Sequence, residues 1–239
     1  MPRSLLEAAP RVIEQNNAHG GVSYWQGTGN QSVADANGVS LAEYIHALYG
    51  LLRQAGAKNV LMIGCGGGTL GTMLARKGVK VTMVDIDALP FEIARRYFRL
   101  PAKVRCVVAD GGAFLKAGGP RYDAIILDAF MGEKIPPHFI KRVFFERVKA
   151  RLTARGIFLI NIIVADDEDR TPDRIGWRLK TVWRNARLLD SDGYVDRNAI
   201  AMAGSVTKLK PPRLMMKPKT EARSIAADLK ALDFRELRT

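Results

Sequence analysis

The chain has 239 residues, 47% of them hydrophobic, and a formal net charge of +13. A chain of this length can bury one sizeable core, so a single domain with small appendages is expected. Two cysteines exclude a disulfide framework, the start MPRSLLEAAPRVIEQ has no apolar core of signal-peptide length, and no apolar run approaches a bilayer span. A protein of the reducing cytoplasm with no membrane partner is the expectation. The charge raises nucleic acid as a partner. The basic residues are spread, however, over KRVFFERVKARLTAR, RIGWRLKTVWRNAR and KLKPPRLMMKPK. The first two read as solvated faces of amphipathic helices, which makes nucleic acid the minor expectation.

In chain order, residues 4–17 are expected to form a short helix, ended by His19-Gly20-Gly21. Val22 to Trp25 reads as a short strand, and the Gly-, Asn-, Ser- and Asp-rich stretch Gly27 to Gly38, with Gln31 inside it, as a loop. Leu41, Tyr44, Ile45, Leu48 and Leu52 recur at helical spacing, so a helix is expected over about 40–54, with Ser40 and Glu43 as a capping box.

From Val60 the pattern becomes strand–helix alternation. Strands are expected at 60–63, 81–84, 104–108, 122–127 and 157–163, and two more around 188–189 and 199–202. Helices are expected near 69–77, from Pro90 onward, over 138–152, 174–184 and 221–232. The alternation implies an α/β fold: a mostly parallel, seven-stranded sheet with helices on both faces and ligands at the carboxyl ends of its strands. It divides the chain into an N-terminal region (1–38), a Rossmann-like nucleoside-binding domain (39–206) and a basic linker with a final helix (207–239).

Two features point to chemistry. The strand Val60 to Ile63 runs straight into Gly64-Cys65-Gly66-Gly67-Gly68, where the backbone can turn tightly at the N-terminus of a helix. About 20 residues on, Asp85 ends the next strand, where nucleotide-binding folds place an acid on ribose hydroxyls. Asp110 and Asp128 end two further strands, so three carboxylates stand at three successive strand ends. Each, taken singly, could equally be a helix cap or turn residue.

The stretches IGCGGG, VDID, ADGGAFL, YDAIILDAF and FFERVKARLTARGIFLIN, in this order, resemble the spermidine synthase family, the aminopropyltransferases, which share the class I methyltransferase fold. The resemblance runs from about Gln31 to Ile163. It implies a nucleoside site made by Gly64, Gly66, Gly67 and Gly68, by Asp85 on the ribose with Ile86 beside it, by Asp110 and Gly111 at the adenine, and by Gln31. It implies Asp128 as the catalytic carboxylate and Asn161 as a lining residue of the amine pocket. The co-substrate would be decarboxylated S-adenosylmethionine or S-adenosylmethionine, without a metal, and the partner a small amine acceptor. The family often dimerises, though much of that contact involves the region shortened here.

The departures fall on the amine half. The family's loop reads GGGDGG, and its Asp holds the aminopropyl ammonium; Gly67 stands there in this chain. The family's Tyr-Gln pair falls near Leu41-Ala42, and the second acid of its DSSD-type loop is missing from Asp128-Ala129-Phe130-Met131. Asp128 would deprotonate an amine whose ammonium has a pKa of about 10. Asp166 and Asp167, after the fifth strand, would form the rim of a cationic-substrate pocket or, alternatively, a solvated helix start. The rival readings are an S-adenosylmethionine-dependent methyltransferase, with loop amides receiving the methionine carboxylate, and a nucleoside-binding module without catalysis. A dehydrogenase is weaker, because IGCGGG fits GxGxxG spacing poorly.

Overall fold

The computed structural model describes residues 11–16, 20–27 and 29–238, arranged around two sheets. Strands β1 (Arg11–Asn16), β2 (Gly21–Gln26) and β3 (Gly29–Ala34) form a small antiparallel sheet. Helix α1 (Glu43–Gln54) leads into the alternating part: β4 (Asn59–Ile63), α2 (Thr69–Arg76), β5 (Lys80–Asp85), α3 (Leu89–Tyr97), β6 (Arg105–Val108), α4 (Gly111–Lys116) and β7 (Tyr122–Leu127). A 3-10 turn at Pro137–Ile140 precedes α5 (Arg142–Arg151), β8 (Leu152–Val164) and α6 (Thr171–Lys180). Then come β9 (Ala186–Asp190), β10 (Arg197–Gly204), α7 (Ala222–Ala231) and β11 (Asp233–Arg235).

The large sheet has eight strands in the order β11-β9-β10-β8-β7-β4-β5-β6. Pairings from β8 through to β6 are parallel, and those of β10 with β8 and β9, and of β9 with β11, are antiparallel. The central strands are apolar on both faces because helices cover both. Leu48, Leu51 and Leu52 of α1, Met73 and Leu74 of α2 and Leu229 of α7 bury one face. Leu115 of α4, Phe144, Phe145 and Val148 of α5 and Leu179 of α6 bury the other.

Several expectations are corrected. Residues 11–16 are a strand, not part of a helix: Val12 and Ile13 are β-branched, and Arg11 to Asn16 pair in register with Gln26 to Gly21. The rest of that expected helix lies largely outside the described residues. Gln31 sits in β3, where a loop was expected, because the polar stretch is an edge strand paired with β2. The capping box does not form. Helix α1 starts at Glu43, and the Ser40 hydroxyl accepts from the Ala42 amide at 3.1 Å. The expected helix over 138–152 breaks at Lys141, which is extended. Helix α4 follows from Asp110 as its cap. The sheet gains an eighth strand because β11, three residues long and too short for a periodic signal, adds to β9.

That last strand is held by charge. The Asp190 carboxylate, fully buried, accepts from Arg197 Nε at 2.8 Å and Arg235 Nε at 2.9 Å. Arg235 also pairs with buried Asp173 at 2.8 Å, and Arg238 with Asp192 at 2.8 Å. Burial alone would push Asp173 and Asp190 up, but the arginine hydrogen bonds and charges outweigh it and hold both below the usual carboxylate range. Carboxylates lowered in this way contribute stability above about pH 4, and it is lost as pH falls through their folded values. Asp190→Asn should therefore cost about 3 kcal/mol in urea denaturation at neutral pH, since it removes the fully buried charge shared by Arg197 and Arg235. Its stability should also fall less steeply than that of the wild type below about pH 4. A loss under about 1 kcal/mol, the range of an exposed pair, would contradict this account.

Candidate functional site

Strand β4 has β5 on one side and β7 on the other, so the topology switches direction at its carboxyl end. Gly64 leaves β4 with φ of 101°, and a Cβ there would lie 2.0 Å from the Asp128 carbonyl oxygen. The Gly64 amide donates to Val84 O and the Asp128 amide to Ile63 O, both at 2.9 Å. The ends of β4, β5 and β7 are thereby locked together, with Asp85 and Asp128 at their tips.

The glycine loop is bonded mostly to the protein itself. Cys65 N–H donates to Asp85 Oδ2 at 2.9 Å, Gly68 N–H to Cys65 O at 2.8 Å, and Gly67 N–H to Ser32 Oγ at 2.7 Å. With Gly64 N–H also engaged, few loop amides are left for the anion-receiving role that the methyltransferase reading gave them. Gly67 has no room for a side chain. A Cβ would lie 2.7 Å from Ser32 Cβ and 3.0 Å from two ring carbons of Phe98. Gln31 lies beside this loop, its carbonyl oxygen 3.0 Å from where a Cβ of Gly66 would be.

Asp85 accepts from the Cys65 amide and, at 3.0 Å, from the Asp87 amide. Burial pushes its pKa up, more than these amides pull it down. Ile86, next to it, is 61% exposed, an apolar surface beside a half-buried carboxylate. Asp87 forms an ion pair with Arg11 of β1, which ties the small sheet to this strand end. Asp110 caps α4, taking the Ala113 amide at 2.8 Å, and its other oxygen lies 3.1 Å from His138 Nε2. Gly111 is packed on β4: a Cβ would lie 2.4 Å from Ile63 Cγ2.

Asp128 is oriented by a short relay. Asn161 Nδ2 donates to Asp128 Oδ1 at 2.9 Å, and Asn198 Nδ2 donates to Asn161 Oδ1 at 3.0 Å. Burial pushes the Asp128 carboxyl up to about 6, against the pull of the Asn161 hydrogen bond. Tyr44 of α1 stands near it. Burial raises the Tyr44 phenol well above its ordinary value, and the Asp128 charge adds to that.

Tyr44 and Asn198 also line a cavity of about 230 Å³, walled by Glu43, Asp228 and Tyr194 among others. Glu43 is raised by burial, and the neighbouring Asp228 charge adds to the effect. The acids expected at this rim are engaged elsewhere. Asp166 accepts the amides of Glu168 and Asp169 at 2.9 and 3.1 Å. Asp167 accepts from Gly193 N–H and pairs with Arg197 at 3.0 Å. Asp85, Asp128 and the glycine loop thus come together with Asn161, whereas Asp166 is held by its own turn and Asp167 by Arg197, which itself lines the cavity.

Sequence reasoning missed Ser32, Glu43, Tyr44, Asn198 and Asp228. Tyr44 and Glu43 carried signals that were absorbed into a helix pattern and a cap, and nothing local marks Ser32, which matters through a contact 35 positions away. Among the described residues, no helix is long and apolar enough to cross a membrane, and no group of three or more His, Cys, Asp or Glu is arranged to hold a metal ion.

Comparison with known proteins fits this geometry. Polyamine aminopropyltransferase of Vibrio vulnificus is 36% identical over 121 residues, 48% of this chain and 40% of that protein. A Drosophila melanogaster protein described as an eEF1A lysine and N-terminal methyltransferase homolog is 30% identical over 127 residues, 48% of this chain and 19% of that one. The aligned stretches span less than half the length of these relatives. A probable spermidine synthase from Corynebacterium glutamicum has the same fold, with a TM-score of 0.77 at 19% identity, over 97% of this chain and 88% of that one. The spermine/spermidine synthase domain family matches residues 41–162, half of the chain, and on that match the chain belongs to this family.

Proposed function

We propose that the chain is a spermidine synthase-like transferase that alkylates an amine from an S-adenosylmethionine-type sulfonium nucleoside, with aminopropyl as the transferred group. The observation that carries this reading is Asp128 itself: a carboxylate at the switch point, oriented through Asn161 and Asn198, the latter lining a cavity walled also by Glu43 and Asp228. Glu43, raised by burial and by the neighbouring Asp228 charge, is in a setting that a bound ammonium relieves.

The residues present fit the nucleoside. Asp85 offers its carboxylate for the ribose hydroxyls, the exposed Ile86 an apolar surface for the base, and Asp110 and Gly111 the far edge, with Gln31 across the loop. When bound, the nucleoside supplies a carbon activated by the neighbouring sulfonium; the acceptor nitrogen bonds to it as the carbon–sulfur bond breaks. The chain's own work lies on the acceptor side. Asp128 accepts the proton of the ammonium and leaves a nucleophilic amine. Asn161 holds the carboxylate in place and favours its ionised form. Glu43 and Asp228 bind a second cationic group, and holding nitrogen and carbon together lowers the barrier by several kcal/mol.

Methyl transfer is the second reading. The specific observation in its favour is Gly67, whose side-chain space is taken by Ser32 and Phe98, so no acid meets an aminopropyl ammonium there. Both readings share the amine acceptor and Asp128.

The purified protein should convert decarboxylated S-adenosylmethionine and a diamine to methylthioadenosine. Formation of S-adenosylhomocysteine from the carboxylated donor alone would move the assignment to methyl transfer, and turnover of neither would overturn it. Asp128→Asn should lower kcat by about 10²–10⁴-fold. The kcat/KM profile should rise with pH through about 6, because Asp128 must be ionised to act. Asn161→Leu removes a hydrogen bond to the ionised form, so this limb should move to higher pH; an unmoved limb would deny Asp128 the role of base. Glu43→Gln combined with Asp228→Asn should raise the amine KM about tenfold or more with little change in kcat, the signature of lost binding alone.

A further inference from the structure

A second cavity, of about 370 Å³, lies at the opposite end of the large sheet. It is bordered by Arg121 just before β7, the start of β8 from Leu152 to Gly156, the end of β10 at Gly204, and the segment Trp183 to Asn185 that enters β9. Asp128 ends β7 and Arg121 precedes it, so a strand's length of about 20 Å separates this cavity from the proposed chemistry.

Its lining is the reverse of the acid-walled cavity. Arg121, Lys149 and Arg184 border it, with Asn185 and Ser205 as further polar groups, and no acidic side chain does. Among the described residues, none of the three cations has a carboxylate partner; Lys149 donates one N–H to Val182 O at 2.7 Å and keeps two. The nearest acid in sequence, Asp123, does not line the cavity: one oxygen takes the amides of Lys58 and Asn59, both at 3.0 Å, and the other the hydroxyl of Thr153 at 3.4 Å. Arg151, buried beside the chain leading to Arg121, is held by the carbonyl oxygens of Phe114, Leu115, Gly118 and Pro120 rather than by a carboxylate. It therefore adds an uncompensated charge. Three exposed cationic side chains around one cavity, with hydroxyl and amide donors and none paired with a carboxylate, match an oxyanion of more than one charge.

We propose that this cavity is a binding site for a phosphate-type oxyanion, carried either by a free phosphorylated molecule or by a nucleic-acid backbone. Arg121 and Arg184 supply forked N–H donors to phosphate oxygens, and Lys149 a point charge between them. The Trp183 ring is stacked on Phe158 at 5.9 Å and packed against Phe145 at 6.2 Å, so it is a fixed wall. Recognition here is of charge and shape, without base stacking.

The test uses the full chain, with pyrophosphate in a calorimeter and a short fluorescein-labelled single-stranded oligoribonucleotide by anisotropy. The variants are Arg121→Gln/Lys149→Gln/Arg184→Gln and, as a charge-matched control on the opposite face of the sheet, where Leu214, Met216 and Ile225 pack, Arg213→Gln/Lys217→Gln/Arg223→Gln. The expected result is a loss of about tenfold or more in affinity for the cavity variant and little change for the control. For the oligonucleotide, the slope of log K against log salt should also drop by about two for the cavity variant. Binding of pyrophosphate with no tighter binding of the oligonucleotide identifies a free phosphorylated ligand; tighter, salt-dependent oligonucleotide binding identifies the nucleic-acid backbone. The single reversal Arg184→Glu, at an exposed side chain, gives the same readout if the triple variant does not fold. Failure of both probes to bind, or equal weakening in cavity and control variants, would overturn the proposal. Methylthioadenosine binding, measured in parallel, reports on the nucleoside site separately.

Discussion

Gly64 and Asp128 meet backbone to backbone, and the site is laid out from that contact. A Cβ at Gly64 would lie 2.0 Å from the Asp128 carbonyl oxygen, so any other residue would drive β4 and β7 apart where they diverge to serve opposite sides of the sheet. Two consequences follow. The loop that starts at Gly64 turns back toward Asp85, whose carboxylate takes the Cys65 amide. The same closeness brings the end of β7 beside that loop, with Asp128 displayed there. The proposed nucleoside site and the candidate base are therefore adjacent because two strands are in contact, before any ligand is considered.

The small N-terminal sheet acts on this arrangement from outside. Ser32 accepts the Gly67 amide and, with Phe98, fills the volume where a side chain at 67 would sit. Arg11 pairs with Asp87, two residues beyond Asp85. The sheet thus takes over functions that an acid in the loop would otherwise share: it satisfies a loop amide and closes the space. The absence of a side chain at 67 and the position of β3 are one structural fact seen from two sides. An acid placed at 67 would be set against Ser32 and Phe98.

What the sequence made legible follows from how local each signal is. The central strands and the helices on both faces announce themselves through apolar runs and helical spacing within each segment, and Gly64, Asp85 and Asp128 could be placed because a strand end is a local event. The polar strand β3 and the strand Arg11–Asn16 could not, since their pairing is what makes them strands. The three-residue β11 exists because Arg235 reaches Asp173 and Asp190, a contact between distant parts of the chain. At the site, Asn161 was placed by resemblance and Asn198 by nothing local, although the two act in one relay.

The acids show why counting charges along a chain misleads. Four acidic residues follow one another from Asp166 to Asp169, and they draw the eye as a cation-binding rim. In the fold, Asp167 is matched by Arg197, and Asp166 by the amides of its own turn. Glu43 and Asp228 are inconspicuous in sequence, 185 positions apart, yet they share a cavity wall, and neither has an arginine or lysine partner among the described residues. A charge acts on a ligand in proportion to what the protein leaves uncompensated, because paired charges cancel within a few ångströms and unpaired ones do not. By that measure the sheet is polarised. The unmatched Glu43 and Asp228, on α1 and α7, share one cavity with Asn198 of the Asp128 relay, and unmatched cations lie around Arg121 and Arg184 at the amino end of β7. A net charge of +13 thus coexists with an acid-lined pocket, and the proposed amine acceptor would be attracted to one end of a protein that, taken as a whole, repels it.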